Sequence, residues 1–285
     1  MILWGFSSGA QSGVSFATML ELLPPADHVC GISAGAMISL YVALQEQCNI
    51  PELQGAIAKN SKCFLRGWSK HTFLNAIKAY FYHNSIYQAG SLFNLANTAL
   101  DLSPSPVLLR DMTVGVWDAT AFHYKEKFFP RGTPREQLLP YVQASASVPL
   151  IFPPQEIEGH MMRDGALAHE FPVQIIGRFE GEAHLCSARS LDRQSIQAHE
   201  RALGSNMKDV ANFVLRERAF EATARDLRLI HCLRRGKGKT WVYFPEHVIT
   251  HLQVSREELQ ELFRVGREAK RMRLEEWALY DILEV

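Results

Sequence analysis

The fold of this chain is decided by the stretch Val29-Cys30-Gly31-Ile32-Ser33-Ala34-Gly35-Ala36. It has the pattern G-x-S-x-G, between a short apolar run and a helical pattern whose apolar residues recur at i, i+3, i+4 and i+7 (Met37, Leu40, Tyr41 and Leu44). In a strand–turn–helix elbow, Gly31 and Gly35 relieve crowding, and the Ser33 oxygen stands at the tip above the helix N-terminus. The pattern predicts that Ser33 is a nucleophile; the alternative is a glycine-rich turn with a capping serine.

The first 45 residues read strand–helix–strand–helix, which is typical of a parallel sheet. A loop at 7–13 follows the first strand, and the turn at 31–35 follows the second. Neighbouring parallel strands end at the same edge of a sheet, so these loops are expected to face each other across one crevice. One would supply the nucleophile and the other main-chain N–H groups for an oxyanion. No nucleotide-binding fingerprint accompanies them.

Composition excludes several classes of protein. The chain has 285 residues, of which 47% are hydrophobic and 21% charged, and its formal net charge is zero. No global field therefore favours nucleic acid. Residues 1–20 carry no charged side chain, but glycine and serine interrupt the run and no basic segment precedes it, so we expect neither a signal peptide nor a membrane span. Five irregularly spaced cysteines predict no disulfide framework, metal or cofactor, and favour a soluble, cytoplasmic protein.

Further elements follow along the chain. Strands are predicted at 113–119, in the segment around Ile175-Ile176 and His184–Ser187, and at 241–244. A helix end followed by an extended segment is predicted at 141–154. Residues 60–100 are rich in aromatic residues with interleaved lysine and arginine. This pattern predicts an amphipathic helix pair packed on the sheet or, alternatively, a cap whose basic aromatic face meets lipid.

The C-terminal part has a different charge pattern. Residues 200–240 contain ten lysines and arginines against five acidic residues. A solvated helix with a hairpin turn would explain the excess, and contact with anionic headgroups is the functional alternative. The last helix is predicted to begin at Ser255, with Glu258 completing a capping box. Its expected buried stripe comprises Leu259, Leu262, Phe263, Ala269 and Met272.

A serine nucleophile needs a base. A Ser-His-Asp triad on an α/β-hydrolase fold requires several strands before the nucleophile, whereas one strand precedes that of Ser33. His169, His184 and His231 are the formal candidates for such a base. An Asp-Gly pair occurs at Asp164, and from the residues alone it would commonly be a hairpin turn.

Three motifs in order resemble the patatin-like phospholipase family. They are the elbow Gly31-Ile32-Ser33-Ala34-Gly35-Ala36, the run A-S-x-x-x-P-x-x-F-x-P at 144–154, and Asp164-Gly165-Ala166. The resemblance covers about residues 1–175. It implies one patatin-like domain over 1–285, with the catalytic motifs in 1–175 and a helical and strand part at 200–285. The implied fold is a three-layer α/β fold with a mainly parallel central sheet and helices on both faces.

The resemblance also implies an activity, that of a lipid acyl hydrolase. This is a phospholipase A-type or non-specific carboxylic ester hydrolase that uses a Ser33–Asp164 dyad and an acyl-enzyme intermediate, without histidine. The oxyanion would be held by the N–H groups of Ser8, Gly9 and Ala10. A phospholipid or other acyl lipid would be the substrate, with peripheral contact to anionic membranes and no nucleic acid.

The chain departs from the family pattern at two places. Ungapped alignment sets Ser7-Ser8-Gly9-Ala10-Gln11-Ser12 against G-G-G-x-[RK]-G, and Glu170 replaces a common asparagine. If Ser8 occupied a position with positive φ, strain of about 1 kcal/mol would result, and Ser8→Gly would keep or raise activity. If the loop has a different shape, in which the Ser8 hydroxyl itself donates to the oxyanion, Ser8→Gly would lower activity. The alternatives are a catalytically weakened lipid-binding relative or a Ser-His-Asp esterase.

Overall fold

The computed structural model describes residues 1–64, 100–103, 105–149, 152–191, 207–246 and 256–283, with the backbone alone at 10, 11, 60–64, 207–217, 256 and 280–283. The predicted helix pair lies almost wholly outside these residues, in 65–99. Ser255, the predicted start of the last helix, also lies outside them.

The described strands form one nine-stranded sheet. They are β1 (Ile2–Phe6), β2 (His28–Gly31), β3 (Asp111–Asp118), β4 (His123–Phe129), β5 (Gln155–Ile157), β6 (His160–Asp164), β7 (Glu182–Cys186), β8 (Thr240–Phe244) and β9 (Lys270–Arg273). The strand order is β5-β6-β3-β2-β1-β7-β8-β9, and β4 pairs with β3. The central run β3-β2-β1-β7-β8 is parallel, whereas β4, β5, β6 and β9 add antiparallel pairs at the margins.

Helices cover both faces of the sheet. They are α1 (Phe16–Met19), α2 (Ala34–Leu44), α3 (Ile50–Phe64), α4 (Arg135–Ser145), α5 (Val173–Arg178), α6 (Met207–Leu233), α7 (Arg256–Arg267) and α8 (Leu274–Leu283). One apolar cluster joins Trp4 and Phe6 of β1 to α1, α2, α4 and α7. A second joins Leu3, on the opposite face of β1, to α5, α6 and α8. The expected three-layer fold with a mainly parallel sheet is confirmed.

Helix α2 differs from the amphipathic helix that the sequence predicts. Nine of its eleven residues are buried, so apolar contacts surround nearly the whole helix rather than one stripe. Its sequence is apolar on every side, and such a helix is stable only when it is enclosed by other elements. The helix that carries the G-x-S-x-G motif therefore lies inside the protein, between the sheet and the neighbouring helices.

The strand expected around Ile175-Ile176 is wrong, because these residues lie in helix α5. A short apolar run does not by itself distinguish a strand from a buried helical turn.

Two other predictions need correction. The last predicted helix ends at Arg267, so Ala269 and Met272 are not part of its stripe; Met272 lies in β9, and a further helix, α8, follows. Strand β4, read H-Y-K-E-K-F-F, was not predicted, because its charged residues hide the apolar alternation of a strand. β4 pairs along one side of β3, from Met112 to Asp118.

Candidate active site

Ser33 stands at the junction between β2 and α2. Its backbone has φ 57° and ψ −120°, a region that non-glycine residues rarely adopt. A Cβ built on Gly35 would lie 2.4 Å from the carbonyl oxygen of Phe6, and one built on Gly31 would lie 2.2 Å from the Gly35 backbone. Both glycines are therefore needed because main chains approach closely around the turn.

The elbow is tied to the neighbouring motif by a buried hydroxyl. The Ser33 N–H donates to Oγ of Ser145 (2.9 Å), and this hydroxyl donates to the carbonyl oxygen of Gly115 in β3 (2.6 Å). Ser145 is the serine of the A-S-x-x-x-P run and ends helix α4. The run therefore holds the strained turn against the sheet.

Asp164 is brought to the elbow by the register of β3. On the side of β3 opposite β4, Val114 pairs with Gly31 and Val116 pairs with Asp164. Strand β6 thus continues along β3 from the point where β2 ends. Two residues along a strand span about 7 Å, so the end of β6 lies beside the turn that follows Gly31. The Asp-Gly pair ends a strand and begins a 3₁₀ helix, Gly165–Leu167; it is not a hairpin turn.

The Asp164 carboxylate is buried and only half satisfied. Its Oδ1 accepts a hydrogen bond from the Ala166 N–H (2.8 Å), whereas its buried Oδ2 has no partner among the described residues. Burial raises the pKa of this carboxyl to about 7, against the lowering effect of Ala166 and of the nearby Ser33 hydroxyl. The Ser33 hydroxyl lies close enough to the Asp164 carboxylate to lower its pKa, but Oδ2 of Asp164 accepts no hydrogen bond from it.

The loop after β1 lies against the elbow. It is shorter than predicted, because a 3₁₀ helix begins at Ala10. A Cβ built on Gly13 would lie 2.4 Å from Cβ of Ala34, the residue after Ser33. The two loops therefore lie against each other at the carboxyl edge of the sheet.

The Ser8 N–H, expected to bind the oxyanion, is instead used in a hydrogen bond within the protein. Its N–H donates to the carbonyl oxygen of Glu170 (2.8 Å), and its hydroxyl donates to Oε2 of the same residue. The Gly9 N–H has no hydrogen-bond partner among the described residues. Ala10 is the first residue of the 3₁₀ helix, where N–H groups lack an intrahelical acceptor. The available donors are thus at Gly9 and Ala10, not at Ser8.

The expected backbone strain in this loop is absent. Neither Ser7 nor Ser8 is among the described residues with positive φ, and Gly9 has φ −175°, which any residue adopts. Glycine is needed at position 9 for another reason, since a Cβ there would lie 2.3 Å from Cβ of Ala188. The serines of the loop are accommodated without cost to the backbone.

Sequence reasoning missed the polar groups that surround this loop. Arg189 donates from Nη1 to Oε2 of Glu170 (2.5 Å), the oxygen that also accepts from Ser8. Asp226 of α6 is fully buried and accepts from the N–H groups of Glu170 (2.5 Å) and Phe171 (3.2 Å). Glu170 was noticed only as a departure from the family pattern. Nothing in the sequence pointed to its distant partners.

The candidate histidines are engaged elsewhere. His169 contacts Asp226 through Nδ1 (2.9 Å), and His184 contacts the Tyr243 hydroxyl (3.0 Å). Burial lowers the pKa of His184 to about 4. His231 lines a cavity of about 380 Å³ beside the loop that precedes β8. None of the three is hydrogen-bonded to Ser33.

Several cations of the basic region are already engaged among its described side chains, which begin at residue 218. Arg225 pairs with Asp226, buried Arg234 donates to three main-chain carbonyl groups, and Lys237 donates to one. The loop at 234–239 precedes the parallel strand β8 and so lies at the amino edge of the sheet. Ser33 follows β2 at the opposite, carboxyl edge.

The described part of the chain contains neither a candidate metal site nor a helix suited to span a membrane. No group of three or more histidine, cysteine, aspartate or glutamate side chains in this part of the chain could hold a metal ion. Nor is any helix within the described ranges long and apolar enough to cross a membrane.

Comparison with known proteins identifies the family. The chain matches the family model described as Patatin-like phospholipase over residues 5–176, which is more than half of its length. This protein therefore belongs to the patatin-like phospholipase family, whose members are generally serine hydrolases that act on lipid esters. The strands β7, β8 and β9 follow the matched region and extend the same sheet.

A solved structure with a similar shape is the crystal structure of VipD from Legionella pneumophila, with a TM-score of 0.43 and 14% sequence identity. The similarity covers 97% of this chain and 66% of the VipD chain, so this chain spans just under two thirds of the length of VipD. No match to a curated protein was found.

Proposed function

We propose that this protein hydrolyses carboxylic esters of lipids, as a phospholipase A-type or non-specific acyl hydrolase, with Ser33 as nucleophile and Asp164 as base. One observation carries the proposal. A buried carboxylate oxygen without a partner lies beside a serine whose backbone is held in a strained turn at a helix start. Such strain and such unsatisfied groups persist where function requires them.

The reaction proceeds by two acyl transfers. Asp164 accepts the proton of the Ser33 hydroxyl while Oγ attacks the ester carbonyl, and the resulting oxyanion accepts hydrogen bonds from the N–H groups at Gly9 and Ala10. The tetrahedral intermediate collapses, and Asp164 returns the proton to the departing alcohol. Water then attacks the acyl-enzyme and gives its proton to Asp164, which passes it to Ser33 as the fatty acid leaves.

The raised pKa of Asp164 supports its role as base. A free aspartate with a pKa near 4 is a weak acceptor for a hydroxyl proton. Burial brings the pKa of Asp164 to about 7. With this pKa the carboxylate accepts a proton more readily than a free aspartate does, and it is still deprotonated in about half of the molecules at neutral pH. No histidine is needed for this step.

The experiment is hydrolysis of a medium-chain p-nitrophenyl ester together with labelling by a fluorophosphonate probe. Ser33→Ala and Asp164→Asn should each lower hydrolysis by at least about 10³-fold, since members of one catalytic unit fail together. Ser39→Ala is the matched control, because Ser39 is a buried serine in the same helix α2 whose hydroxyl has no partner among the described residues. Full activity in Asp164→Asn would contradict the dyad.

We further propose that an anionic membrane recruits the protein through exposed cations of its C-terminal part. Exposed cations of the described C-terminal part include Arg218, Arg235 and Lys239. Vesicles containing phosphatidylserine should co-sediment with the protein, less at 0.5 M than at 0.1 M salt, because exposed charges are screened within about 10 Å at 0.1 M. Arg235→Glu with Lys239→Glu should weaken binding but not hydrolysis of the soluble ester. Binding that is unaffected by salt would contradict this mode of recruitment.

Vesicle binding without probe labelling would favour the second candidate function, a catalytically weakened lipid-binding protein. The observation behind this alternative is the altered glycine loop, in which the Ser8 N–H is used by Glu170 instead of facing a substrate.

A further inference from the structure

The two departures of this chain from the family pattern contact each other. Ser8 lies in the altered glycine loop, and Glu170 takes the place of an asparagine. In the structure the Ser8 hydroxyl donates to Oε2 of Glu170, and the Ser8 N–H donates to the Glu170 carbonyl oxygen (2.8 Å). Both residues are buried, with exposed fractions of 3% and 5%. The two changes therefore form one structural unit.

A cation completes this unit. Arg189 donates to Oε2 of Glu170 (2.5 Å), and its side chain is 30% exposed. A buried carboxylate is costly unless it is paired and hydrogen-bonded, and here a guanidinium and a hydroxyl meet the same oxygen. Ala188, the residue before Arg189, donates its N–H to Oγ of Ser7 (3.0 Å) and packs against Gly9. Ala188 therefore contacts the loop at Ser7 and at Gly9, next to the arginine that pairs with Glu170.

The backbone around Glu170 is also anchored to helix α6. Its N–H donates to Asp226 of the long helix α6 (2.5 Å), independently of its contacts with Ser8. Arg225 of the same helix donates to the Ala168 carbonyl oxygen (2.5 Å), two residues earlier. The backbone around Glu170 is thus fixed to a helix, and the Glu170 side chain presents a fixed acceptor to the loop.

We propose that Glu170 and Arg189 are positioning residues that hold the loop at 7–9 so that the Gly9 N–H points toward the ester carbonyl oxygen. This inference rests on the proposed function, because it requires that the loop forms the oxyanion hole. Neither residue contacts the reacting atoms. The hydrogen bonds between Ser8 and Glu170, with Arg189 holding the Glu170 carboxylate, take over the role that a glycine-rich loop would fill by its own conformation.

The same pair acts electrostatically on the base. The negative charge of Glu170 raises the pKa of Asp164, and the positive charge of Arg189 lowers it. Other charged and titratable groups around Glu170 come from its own segment and from α6: His169, Arg225 and Asp226. Removing one member of the pair should therefore shift the pKa of Asp164, and the direction depends on which member is removed.

The test is a double-mutant cycle on the full chain, with kcat and KM measured on a soluble p-nitrophenyl ester. Ser8→Ala and Glu170→Gln should each lower kcat by about 10- to 100-fold with KM changed by less than about threefold, because a misplaced donor affects the transition state. The double variant should be no worse than the poorer single variant, since both act through one contact. Multiplicative losses, or unchanged kcat in both singles, would overturn the proposal.

The pH profile separates positioning from a merely structural role. The midpoint of kcat/KM against pH should move to lower pH in Glu170→Gln and to higher pH in Arg189→Gln, because the two charges act oppositely on Asp164. Arg189→Lys should restore both kcat and the midpoint, since it keeps a cation beside Glu170; this variant also keeps the test decisive if Glu170→Gln fails to fold. Unchanged midpoints, or shifts in the same direction, would overturn the proposal.

Two controls complete the design. Ser103→Ala removes a buried hydroxyl that donates to the Leu44 carbonyl oxygen (2.7 Å), at the far end of α2 and about 16 Å from Ser33, and should leave kcat unchanged. Fluorophosphonate labelling of the unmodified protein distinguishes the two levels of inference. No labelling at Ser33 would contradict the proposed function, whereas labelling with unaltered rates in the Ser8 and Glu170 variants would overturn only the positioning role.

Discussion

Two buried serine–carboxylate pairs lie at the carboxyl edge of this sheet, and they differ in how far the carboxylate is satisfied. In the pair Ser8–Glu170, Oε2 accepts from the serine hydroxyl and from Arg189. In the pair Ser33–Asp164, Oδ2 has no partner among the described residues and no cation contacts the carboxylate. The two carboxylates are six residues apart in the chain.

The difference shows how one segment can serve both structure and chemistry. A carboxylate oxygen that accepts from both a guanidinium and a hydroxyl has its hydrogen bonds satisfied, so it serves as a fixed acceptor. A buried carboxylate without such partners is costly in its charged form and has a raised pKa, which suits it to accept a proton. A charged Asp164 that is buried without partners lowers the free energy of unfolding, and such a loss is typical of active sites.

The largest expected effect concerns which serine reacts. Ser33→Ala should abolish fluorophosphonate labelling, whereas Ser8→Ala should still be labelled, at a rate lower by about 10- to 100-fold, because only Ser33 has an unsatisfied base beside it. Labelling time courses followed by gel fluorescence measure both rates. If Ser8→Ala abolished labelling and Ser33→Ala did not, the assigned roles of the two pairs would be reversed.

A smaller effect is expected from Gly9, which follows Ser8 in the loop. Gly9→Val should lower kcat by about 10- to 100-fold, because its side chain would displace the loop from Ala188 and move the nearby N–H groups. The milder Gly9→Ala should be partly rescued by Ala188→Gly, which removes the contacting Cβ atom. Activity on the soluble ester and the melting temperature should be measured together. Parental activity in Gly9→Val would show that this loop is not the oxyanion hole.

The smallest effect concerns stability. The folded-state pKa of Asp164, about 7, lies above its ordinary value, so its contribution to stability is complete below about pH 4 and is lost as the pH rises through 7. Asp164→Asn does not titrate, and its stability relative to the parent should rise by about 2 kcal/mol between pH 5 and pH 8. Urea unfolding at the two pH values measures this difference.

The local features of this protein were determined by the sequence alone. Strands at the start of the chain and at 241–244, the elbow and the helix behind it, and the order of the three motifs could be predicted because each depends on neighbouring residues. The family and its three-layer fold followed from those motifs. The elbow glycines at 31 and 35 were also predictable, since a sharp strand-to-helix turn requires close approach of the main chain.

Only the tertiary structure decided how distant residues meet. The register of β3 sets Asp164 beside the end of β2, although more than 130 residues separate Asp164 from Ser33 in the chain. The contacts of Glu170 with Ser8 and with Arg189, and the absence of positive φ at Ser8, likewise depend on the packing of separate segments. Periodicity and propensity describe residues a few positions apart, whereas the satisfaction of a buried charge depends on which groups surround it in three dimensions.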